Sequence, residues 1–359
     1  MSDEVNLFAQ QEANRRRSRW LVIGFILFFA WLGFGGDFVF YLSTKDAPPE
    51  SYHHVFPWIG FLLTGIGAIM AKYSYSTGPK NILKSTGARE ILDAQTPQEK
   101  QLVNVVQEMS VASGITPPHI WIVDDPDPNA FATGHDESDS NIAVTQGLLG
   151  VLSRDELQAV VGHEMGHIKN LDVKLMTLLA ALVGAVTLIA DGAGRMMFYG
   201  GGRGRSRSSD SDSDSKGGSN PLVILLFVIW IISWILAPFI TRLLAMGVSR
   251  KREYLADAMS AQFTRNPIAL ASALTKIESA SAPTTSIKGG AAHLCIADPL
   301  GRALNSSEGK MAELFGTHPP MATRIARLKM MGYEQSANAI PGSAAAPVSA
   351  PSSASVRAT

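Results

Sequence analysis

The stretch GHEMGHIKN, residues 162–170, places two histidines four residues apart with a glutamate directly after the first. On an α-helix, residues four apart lie about 40° apart around the axis and about 6 Å apart along it, so His163 and His167 project to one side. Glu164 is turned about 100° from His163, where a carboxylate can act on a water molecule beside a bound ion. The pattern predicts a helix that binds a divalent metal ion and carries a general base.

A second segment offers a third ligand for such an ion. Catalytic zinc sites usually take three protein ligands and keep a fourth position for water. Residues 249–257 read SRKREYLAD, in which Glu253 and Asp257 share one predicted helical face. Glu253 can complete the ligand set, and Asp257 can hold a ligand imidazole by its remaining N–H. On spacing alone, the alternative is that both carboxylates are solvated partners of neighbouring Arg and Lys side chains.

The composition indicates that part of the chain lies in a membrane. The chain has 359 residues, of which 46% are hydrophobic. A helix needs roughly 20 residues at 1.5 Å per residue to cross about 30 Å of hydrocarbon. Four apolar runs approach or exceed that length, of which the third is marginal: 20–42, 55–73, 173–190 and 221–246.

Charge and cysteine content exclude other classes of protein. The 31 basic and 31 acidic side chains give no net charge, which argues against a nucleic-acid partner, because binding to a polyanion depends on clustered Lys and Arg. The single cysteine, Cys295, excludes an internal disulfide, and we interpret it as a buried apolar thiol.

Basic residues predict the orientation of the first hydrophobic pair. The first run is longer than a signal-peptide core and no clear cleavage site follows it, so we expect an uncleaved anchor. Basic side chains concentrate on the cytoplasmic side of membrane helices, and they flank this pair at both ends: Arg15, Arg16, Arg17, Arg19, Lys72, Lys80, Lys84 and Arg89. The N-terminus and residues 74–172 are therefore expected in the cytoplasm, with the loop 43–54 outside.

The second hydrophobic pair leaves two alternatives open. Its connecting loop carries basic residues that the same rule would keep inside: Arg195, Arg203, Arg205, Arg207 and Lys216. Either the two runs cross fully and the rule is overridden, or the hairpin enters the membrane without crossing. Both ends of the hairpin lie on one side of the membrane in either case, because His167 and Glu253 flank it and would bind the same ion.

These features divide the chain into six predicted segments. They are a cytoplasmic N-terminal segment (1–19), a first transmembrane hairpin (20–73), the N-terminal part of the metal-binding domain (74–172), a second hydrophobic hairpin (173–246), the C-terminal part of that domain (247–335) and a tail (336–359). Low-complexity composition predicts disorder in the loop 200–220 and in the tail.

The segment before the histidine helix has the pattern of a small α+β unit. A capping box at Thr96 and Glu99 predicts the start of an amphipathic helix, and Gly114 predicts its end. Three β-favouring runs follow, at 119–123, 129–134 and 141–145, and we expect a small antiparallel sheet. A second capping box, Ser153-Arg-Asp-Glu156, opens the histidine helix.

Five motifs in order carry a resemblance to a known family. They are NAFATG (129–134), HEMGHIKNLD (163–172), REYLAD (252–257), AHLCIADPL (292–300) and THPP (317–320). Together they resemble HtpX-type membrane zinc metallopeptidases, relatives of the CAAX prenyl endopeptidases, over about residues 15 to 333. The resemblance implies a mainly α membrane protein, with four hydrophobic helices and a zincin-like α+β metalloprotease domain.

The same resemblance implies roles for individual residues. One Zn²⁺ per subunit would be bound by His163, His167 and Glu253, with Glu164 as the base. Asn129, Ala130 and Phe131 would begin an edge strand to which a peptide substrate adds by backbone hydrogen bonds. His318 and Arg324 would approach the substrate or the developing oxyanion. The alternatives are a turn role for Asn129 after Pro128 and a loop or capping role for His318.

The remaining histidines are expected to be structural. His119, His135 and His293 have no partner at ligand spacing, and His53 and His54 fall in the expected external loop.

The sequence thus predicts a membrane-bound, zinc-dependent metalloendopeptidase. By resemblance it would be a multi-pass protein of the bacterial inner membrane with its protease domain in the cytoplasm, and it would degrade unfolded or misassembled membrane proteins in quality control. Its other partner would be the lipid bilayer. One alternative is a non-proteolytic scaffold with a structural zinc site, which Glu164 argues against because a closed site has no use for a base. A weaker alternative is a transporter built around Asp37.

Overall fold

Two long helices form the first part of the protein. The computed structural model describes residues 7–184, 224–225, 228–232, 250–280, 286–287, 294–297 and 319–339. Helix α1 (Leu7–Thr44) and helix α2 (Trp58–Ser85) run antiparallel. Phe34 of α1 packs edge-on against Phe61 at the start of α2, with ring centroids 5.4 Å apart, whereas Phe29 packs with Ala71 further along α2.

The outward faces of this helix pair are apolar. Large apolar side chains exposed there include Trp20, Leu27, Phe38, Leu62 and Ile69. Within the described residues, one helix is long and apolar enough to cross a membrane, over Phe8–Thr44. The expectation of four hydrophobic helices is therefore not confirmed. The second run forms α2, which does not meet the same criterion. The end of the third run (185–190) and most of the fourth run lie outside the described residues, as do the loop 200–220 and most of the tail.

A short part of the fourth apolar run packs on α1. Residues 228–232 are helical, and the indole Nε1 of Trp230 donates to the Leu32 carbonyl at 2.7 Å. The ring lies directly against Gly35 and Gly36. The fourth run therefore contacts the first.

Asp37 is buried near the end of α1 and caps the start of α2. Its carboxylate accepts from the backbone amides of Gly60 at 2.6 Å and Ile59 at 3.2 Å. His54 Nε2 lies 2.7 Å from the same carboxylate and is itself buried. His54 therefore has a structural role, as a partner of this buried carboxylate. Three structural partners leave Asp37 poorly suited to transport.

The sheet is mixed, which corrects the expectation of an antiparallel one. Its strands are β1 (Arg89–Glu90), β2 (His119–Val123), β3 (Ala130–Gly134) and β4 (Ser140–Thr145), in the order β1-β2-β4-β3. Strand β4 pairs antiparallel with β3 and parallel with β2. After β2 the chain crosses to the edge of the sheet and forms β3. It then turns back as β4, which lies between β2 and β3. Strand propensity predicts β2, β3 and β4, but it does not predict the two-residue β1 and says nothing about this order.

Helices complete the α+β domain. They are α3 (Pro97–Ser113), α4 (Gln146–Val151), α5 (Arg154–Lys169), α6 (described over 172–184), α7 (Arg250–Thr264), α8 (Pro267–Ser279) and α9 (Met321–Ala339). Both predicted capping boxes are present, at Thr96 and Ser153, and α3 ends at Gly114 with φ of 70°. Helix α5 is central, because α3, α7, α8 and the sheet all pack around it. The histidine helix is thus held rigidly on several sides.

We expect Asp37→Ala to destabilise the protein. Removing the carboxylate leaves two amides of α2 and one imidazole without their partner, at a cost of roughly 3 kcal/mol in the free energy of unfolding. A thermal unfolding scan in detergent should show a clearly lowered midpoint. Asp46→Ala is the matched control, because the Asp46 side chain is 87% exposed and should be neutral. An equal midpoint for both variants would contradict the capping role.

Candidate metal centre

The two histidines of α5 converge on one point. His163 is fully buried, and its Nε2 lies 3.2 Å from Nε2 of His167, with the two rings at 87° to each other. Helix α7 brings Glu253 to the same point: its Oε2 lies 3.8 Å from His163 Nε2 and its Oε1 lies 3.5 Å from His167 Nε2. One ligand atom from each of the three residues can be chosen so that all lie within 4.8 Å of one another.

This donor set fits a tetrahedral divalent ion. Nitrogen atoms at about 2.0–2.1 Å from a tetrahedral zinc lie about 3.3 Å from each other, close to the separation of the two Nε2 atoms. Each ring turns its other nitrogen towards a carboxylate, with His163 Nδ1 3.0 Å from Asp257 and His167 Nδ1 3.1 Å from Asp172. Protons on Nδ1 leave the Nε2 lone pairs directed at the shared point.

Close packing of α5 on α7 brings Glu253 within reach of the histidines. A Cβ on Gly166 would lie 3.1 Å from the Ala256 Cα, and a Cβ on Gly162 would lie 3.2 Å from Ser260 Oγ. Ser260 Oγ also donates to the Ala159 carbonyl of α5 at 2.6 Å. The two glycines lie four residues apart on one face, so they form a groove for the small residues of α7.

Arg324 of α9 is buried beside the ligands and is paired with Asp257. Its Nε and Nη2 donate to the two oxygens of Asp257 at 2.9 and 2.7 Å, and its Nη1 lies 3.3 Å from Glu253 Oε2. The guanidinium also donates to the Ile296 carbonyl at 3.2 Å. These contacts hold the carboxylates that face the ligand cluster, and the side chain is fully buried. His318, the other predicted partner in this role, lies outside the described residues.

Asp172 and Asn14 were not selected from the sequence, although both belong to this network. Asp172 follows the histidine motif and faces His167, and Arg252 Nη1 lies 3.7 Å from its carboxylate. Asn14 of α1 donates to Asp172 at 2.7 Å and to the Asn170 carbonyl at 3.0 Å. Asp172 could have been found from its place within HEMGHIKNLD. Asn14 carries no local signal, because it is 158 positions from Asp172 in the chain.

Glu164 lies in a small cavity next to the ligand cluster. The cavity is also lined by Ala132 and Leu294, and the Glu164 residue is 1% exposed. Neither carboxylate oxygen has a hydrogen-bond partner of normal geometry within the described residues. Burial raises the pKa of the Glu164 carboxyl to about 7. This is the pKa range of an acid-base catalyst that works near neutral pH.

The two imidazoles have opposite pKa shifts in the metal-free protein. Burial lowers the pKa of His163 to about 4. Burial also acts to lower the pKa of His167, but the hydrogen bond to Asp172 and the charge of Glu253 outweigh it and raise that pKa to about 9. His167 therefore carries a proton at neutral pH when no ion is bound.

The predicted substrate-binding residues lie at the edge of β3 but face another part of the same chain. Asn129 Nδ2 donates to the Ala297 carbonyl at 2.9 Å, and the Ala130 carbonyl accepts from Ile296 at 2.9 Å. Phe131 forms a β-bridge with Cys295, and Asn129, Ala130 and Phe131 are all fully buried. The segment 294–297 thus covers this part of the edge.

Two other described histidines pair with carboxylates outside the ligand cluster. His119 lies 2.7 Å from Glu90, His135 pairs with Asp139, and His293 is outside the described residues. Cys295 is buried.

Comparison with known proteins identifies a family. The model of "Peptidase family M48" matches residues 96–331. A "Protease HtpX homolog" of Streptococcus gordonii is 36% identical over 325 residues, which cover 90% of this chain and 100% of that protein. A "Protease HtpX homolog" of Dictyoglomus thermophilum is 42% identical over 260 residues, covering 72% of this chain and 78% of that protein.

A solved structure, that of S. mikatae Ste24p, aligns with a TM-score of 0.42 and 17% sequence identity. The alignment covers 86% of this chain and 66% of that chain.

We expect Gly166→Ala to push α7 slightly away from α5. The added methyl would lie 3.1 Å from the Ala256 Cα, so α7 would have to shift by a few tenths of an ångström, and such overpacking typically costs 1–3 kcal/mol. Glu253 would move away from the imidazoles, so zinc content after purification should fall along with the unfolding midpoint. Gly150→Ala is the control, because nothing lies within 4 Å of a Cβ there. Unchanged zinc content in Gly166→Ala would show that α7 does not need this close approach.

Zinc binding should release about one proton at about pH 7.5. The ion needs neutral imidazole, so it must displace the proton that His167 holds up to its metal-free pKa of about 9. Affinity should therefore rise with pH up to that value. Calorimetry in buffers of different ionisation heat measures the number released. Asp172→Asn should release fewer protons, because it removes the hydrogen bond that raises the pKa. Equal release by both proteins would contradict the assignment.

Proposed function

The chain belongs to peptidase family M48 and is a membrane metallopeptidase, and we propose that it is a zinc endopeptidase with one ion per subunit. His163, His167 and Glu253 bind the ion, and Glu164 is the general base. Support for the ligand set comes from the position of the Glu253 carboxylate, which meets two Nε2 atoms although it lies 86 to 90 positions after the two histidines in sequence. When bound, zinc polarises the substrate carbonyl and acidifies the attacking water.

The observation that carries the proposal is the buried carboxylate of Glu164. A carboxyl with a pKa near 7 can accept a proton from the attacking water and return it to the leaving amine within one turnover. The cavity around it excludes bulk water, which strengthens the electrostatic interactions of the site. A structural zinc site would have no use for a buried carboxylate beside its ligands that does not itself bind the ion.

Asp257, Asp172 and Arg324 position the ligands in this proposal. The two carboxylates fix the tautomer of the ligand imidazoles. Arg324 holds Asp257 and Glu253, so its proposed role becomes one of ligand placement, while contact with the oxyanion remains a proposal for His318. Substrate pairing along Asn129, Ala130 and Phe131 stays part of the proposal, with the condition that the segment 294–297 moves aside first.

We place the metal centre on the cytoplasmic side of the membrane. Gln11 of α1 donates to the Lys169 carbonyl at 2.7 Å, and Asn14 donates to Asp172, so the N-terminal end of α1 adjoins the C-terminal end of α5. The arginine cluster 15–19 follows directly and faces the cytoplasm by the positive-inside rule. The runs 173–190 and 221–246 would form the second hairpin, and the setting would be a bacterial inner membrane.

We further propose that the substrates are unfolded or misassembled membrane proteins. A main-chain mode of recognition along a strand edge tolerates many sequences, which suits the removal of damaged proteins.

Glu164→Gln should abolish cleavage without loss of the metal. The amide is nearly isosteric but cannot accept the proton, so the rate of cleavage of an unfolded test protein should fall by roughly 10²–10⁴ fold. Zinc measured by atomic emission should stay at one per chain. Cleavage at the unmodified rate would exclude Glu164 as the base.

Glu253→Ala should lose the metal and the activity together. A site reduced to two imidazoles binds zinc much more weakly, so zinc content after dialysis should fall well below one per chain. Glu334→Ala is the matched control, because Glu334 is exposed on α9. Full zinc content in Glu253→Ala would remove this residue from the ligand set.

A further inference from the structure

A large groove separates α1, α2 and α6 on the side of the helix pair that adjoins the α+β domain. It has a volume of about 1090 Å³ and takes no part in the metal centre. Its charged wall consists of Arg15, Arg19, Lys72 and Lys174, and we refer to it as the basic groove. Its apolar wall includes Val22, Ile26 and Leu178.

The charge of the basic groove is unbalanced. Glu12 is the single acidic residue among the lining residues. Within the described part of the chain, none of the four cations forms an ion pair. Lys174 is half-buried, and its ammonium lies 5.4 Å from the centre of the Tyr75 ring. Four cations that line one groove with a single acidic residue favour an anionic ligand.

Phe8 lines the groove at the N-terminal end of α1, and beyond it the groove changes from basic to apolar in the same direction on all three helices. On α1, Arg15 and Arg19 are followed one turn later by Val22 and Ile26. On α2, which runs the other way, Lys72 is preceded by Ala68 at the apolar end, and on α6 Lys174 is followed by Leu178. A ligand that fits this gradient has an anionic head and an apolar tail.

A buried hydroxyl marks the head-group end. Ser18 lines the groove between the two arginines, is 3% exposed, and its Oγ has no hydrogen-bond partner within the described residues. Mid-helix serines commonly return their hydroxyl to the backbone of the preceding turn. A buried hydroxyl that does not do so is available to donate to a phosphate oxygen.

We propose that the basic groove binds one anionic phospholipid of the cytoplasmic leaflet. The phosphate lies among Arg15, Arg19, Lys72 and Lys174 and accepts from Ser18, and an acyl chain lies along Val22, Ile26 and Leu178. A zwitterionic lipid is a poorer ligand, because its own ammonium offsets the phosphate charge. The inference rests on the proposed placement of α1 and α2 in the membrane and is independent of the peptidase chemistry.

Native mass spectrometry of the full-length protein in detergent tests this assignment. The protein is titrated with phosphatidylglycerol or with phosphatidylcholine of the same acyl chains, and the lipid-bound fraction is measured. The unmodified protein should retain one phosphatidylglycerol in preference to phosphatidylcholine. Lys72→Gln combined with Lys174→Gln should weaken phosphatidylglycerol binding by roughly 30-fold, because each basic side chain near an anionic lipid contributes about fivefold.

A second double variant provides the matched control. Lys80→Gln combined with Lys84→Gln makes the same charge change on α2, but both residues are exposed outside the groove, so binding should remain near that of the unmodified protein. Ser18→Ala should weaken phosphatidylglycerol binding by roughly tenfold without any change in charge. This single variant tests the same site if the double variant folds poorly. Equal unfolding midpoints of the two double variants establish that both are folded.

Three outcomes would overturn the proposal. The first is equal retention of phosphatidylglycerol by the groove variant and the control variant. The second is equal retention of phosphatidylcholine by the unmodified protein. The third is failure of the unmodified protein to retain any lipid, which would indicate that another segment of the chain fills the groove. Zinc content and proteolysis are measured separately, so a failure of the peptidase proposal would leave this result unaffected.

Discussion

The close approach of α5 and α7 is the contact on which the rest of the structure depends. Gly162 and Gly166 give α5 a face without side chains, and Ala256 and Ser260 of α7 fill it. This contact brings Glu253 within 4 Å of both imidazoles, although about 90 positions separate it from them in sequence. The same contact brings Asp257 to the far side of His163, so two helices define the ligands and the orientation of one of them.

A divalent ion balances the charges that this packing buries. Glu164, Asp172, Glu253 and Asp257 are carboxylates within the cluster, and Arg252 and Arg324 are its guanidinium groups. The carboxylates outnumber the cations by two, which is the charge of one zinc ion. Without that ion the cluster compensates by holding protons, since the pKa of Glu164 rises to about 7 and that of His167 to about 9. The same buried charged groups therefore determine both the charge that the ion balances and the pKa values of the site.

The sequence predicts local features well, because each depends on neighbouring residues. The capping boxes at Thr96 and Ser153 and the two histidines four apart fix helix starts and a shared face without reference to distant parts of the chain. The mixed sheet escaped prediction because strand propensity does not define which strand lies in the centre. Two further contacts were not predicted, for a related reason: that between Asn14 and Asp172, and that of the segment 294–297 with β3. Both join residues more than 150 positions apart through a few hydrogen bonds, which leave no periodic signal.

X-ray absorption spectroscopy of the zinc-loaded protein identifies the atoms that bind the ion. We expect a first shell of nitrogen and oxygen at about 2.0–2.2 Å, with the multiple scattering of two imidazoles and no sulfur. Substitution of Glu253 by Ala should remove this spectrum. A shell with three or more imidazoles, or one unchanged by that substitution, would contradict the arrangement in which α7 supplies the third ligand.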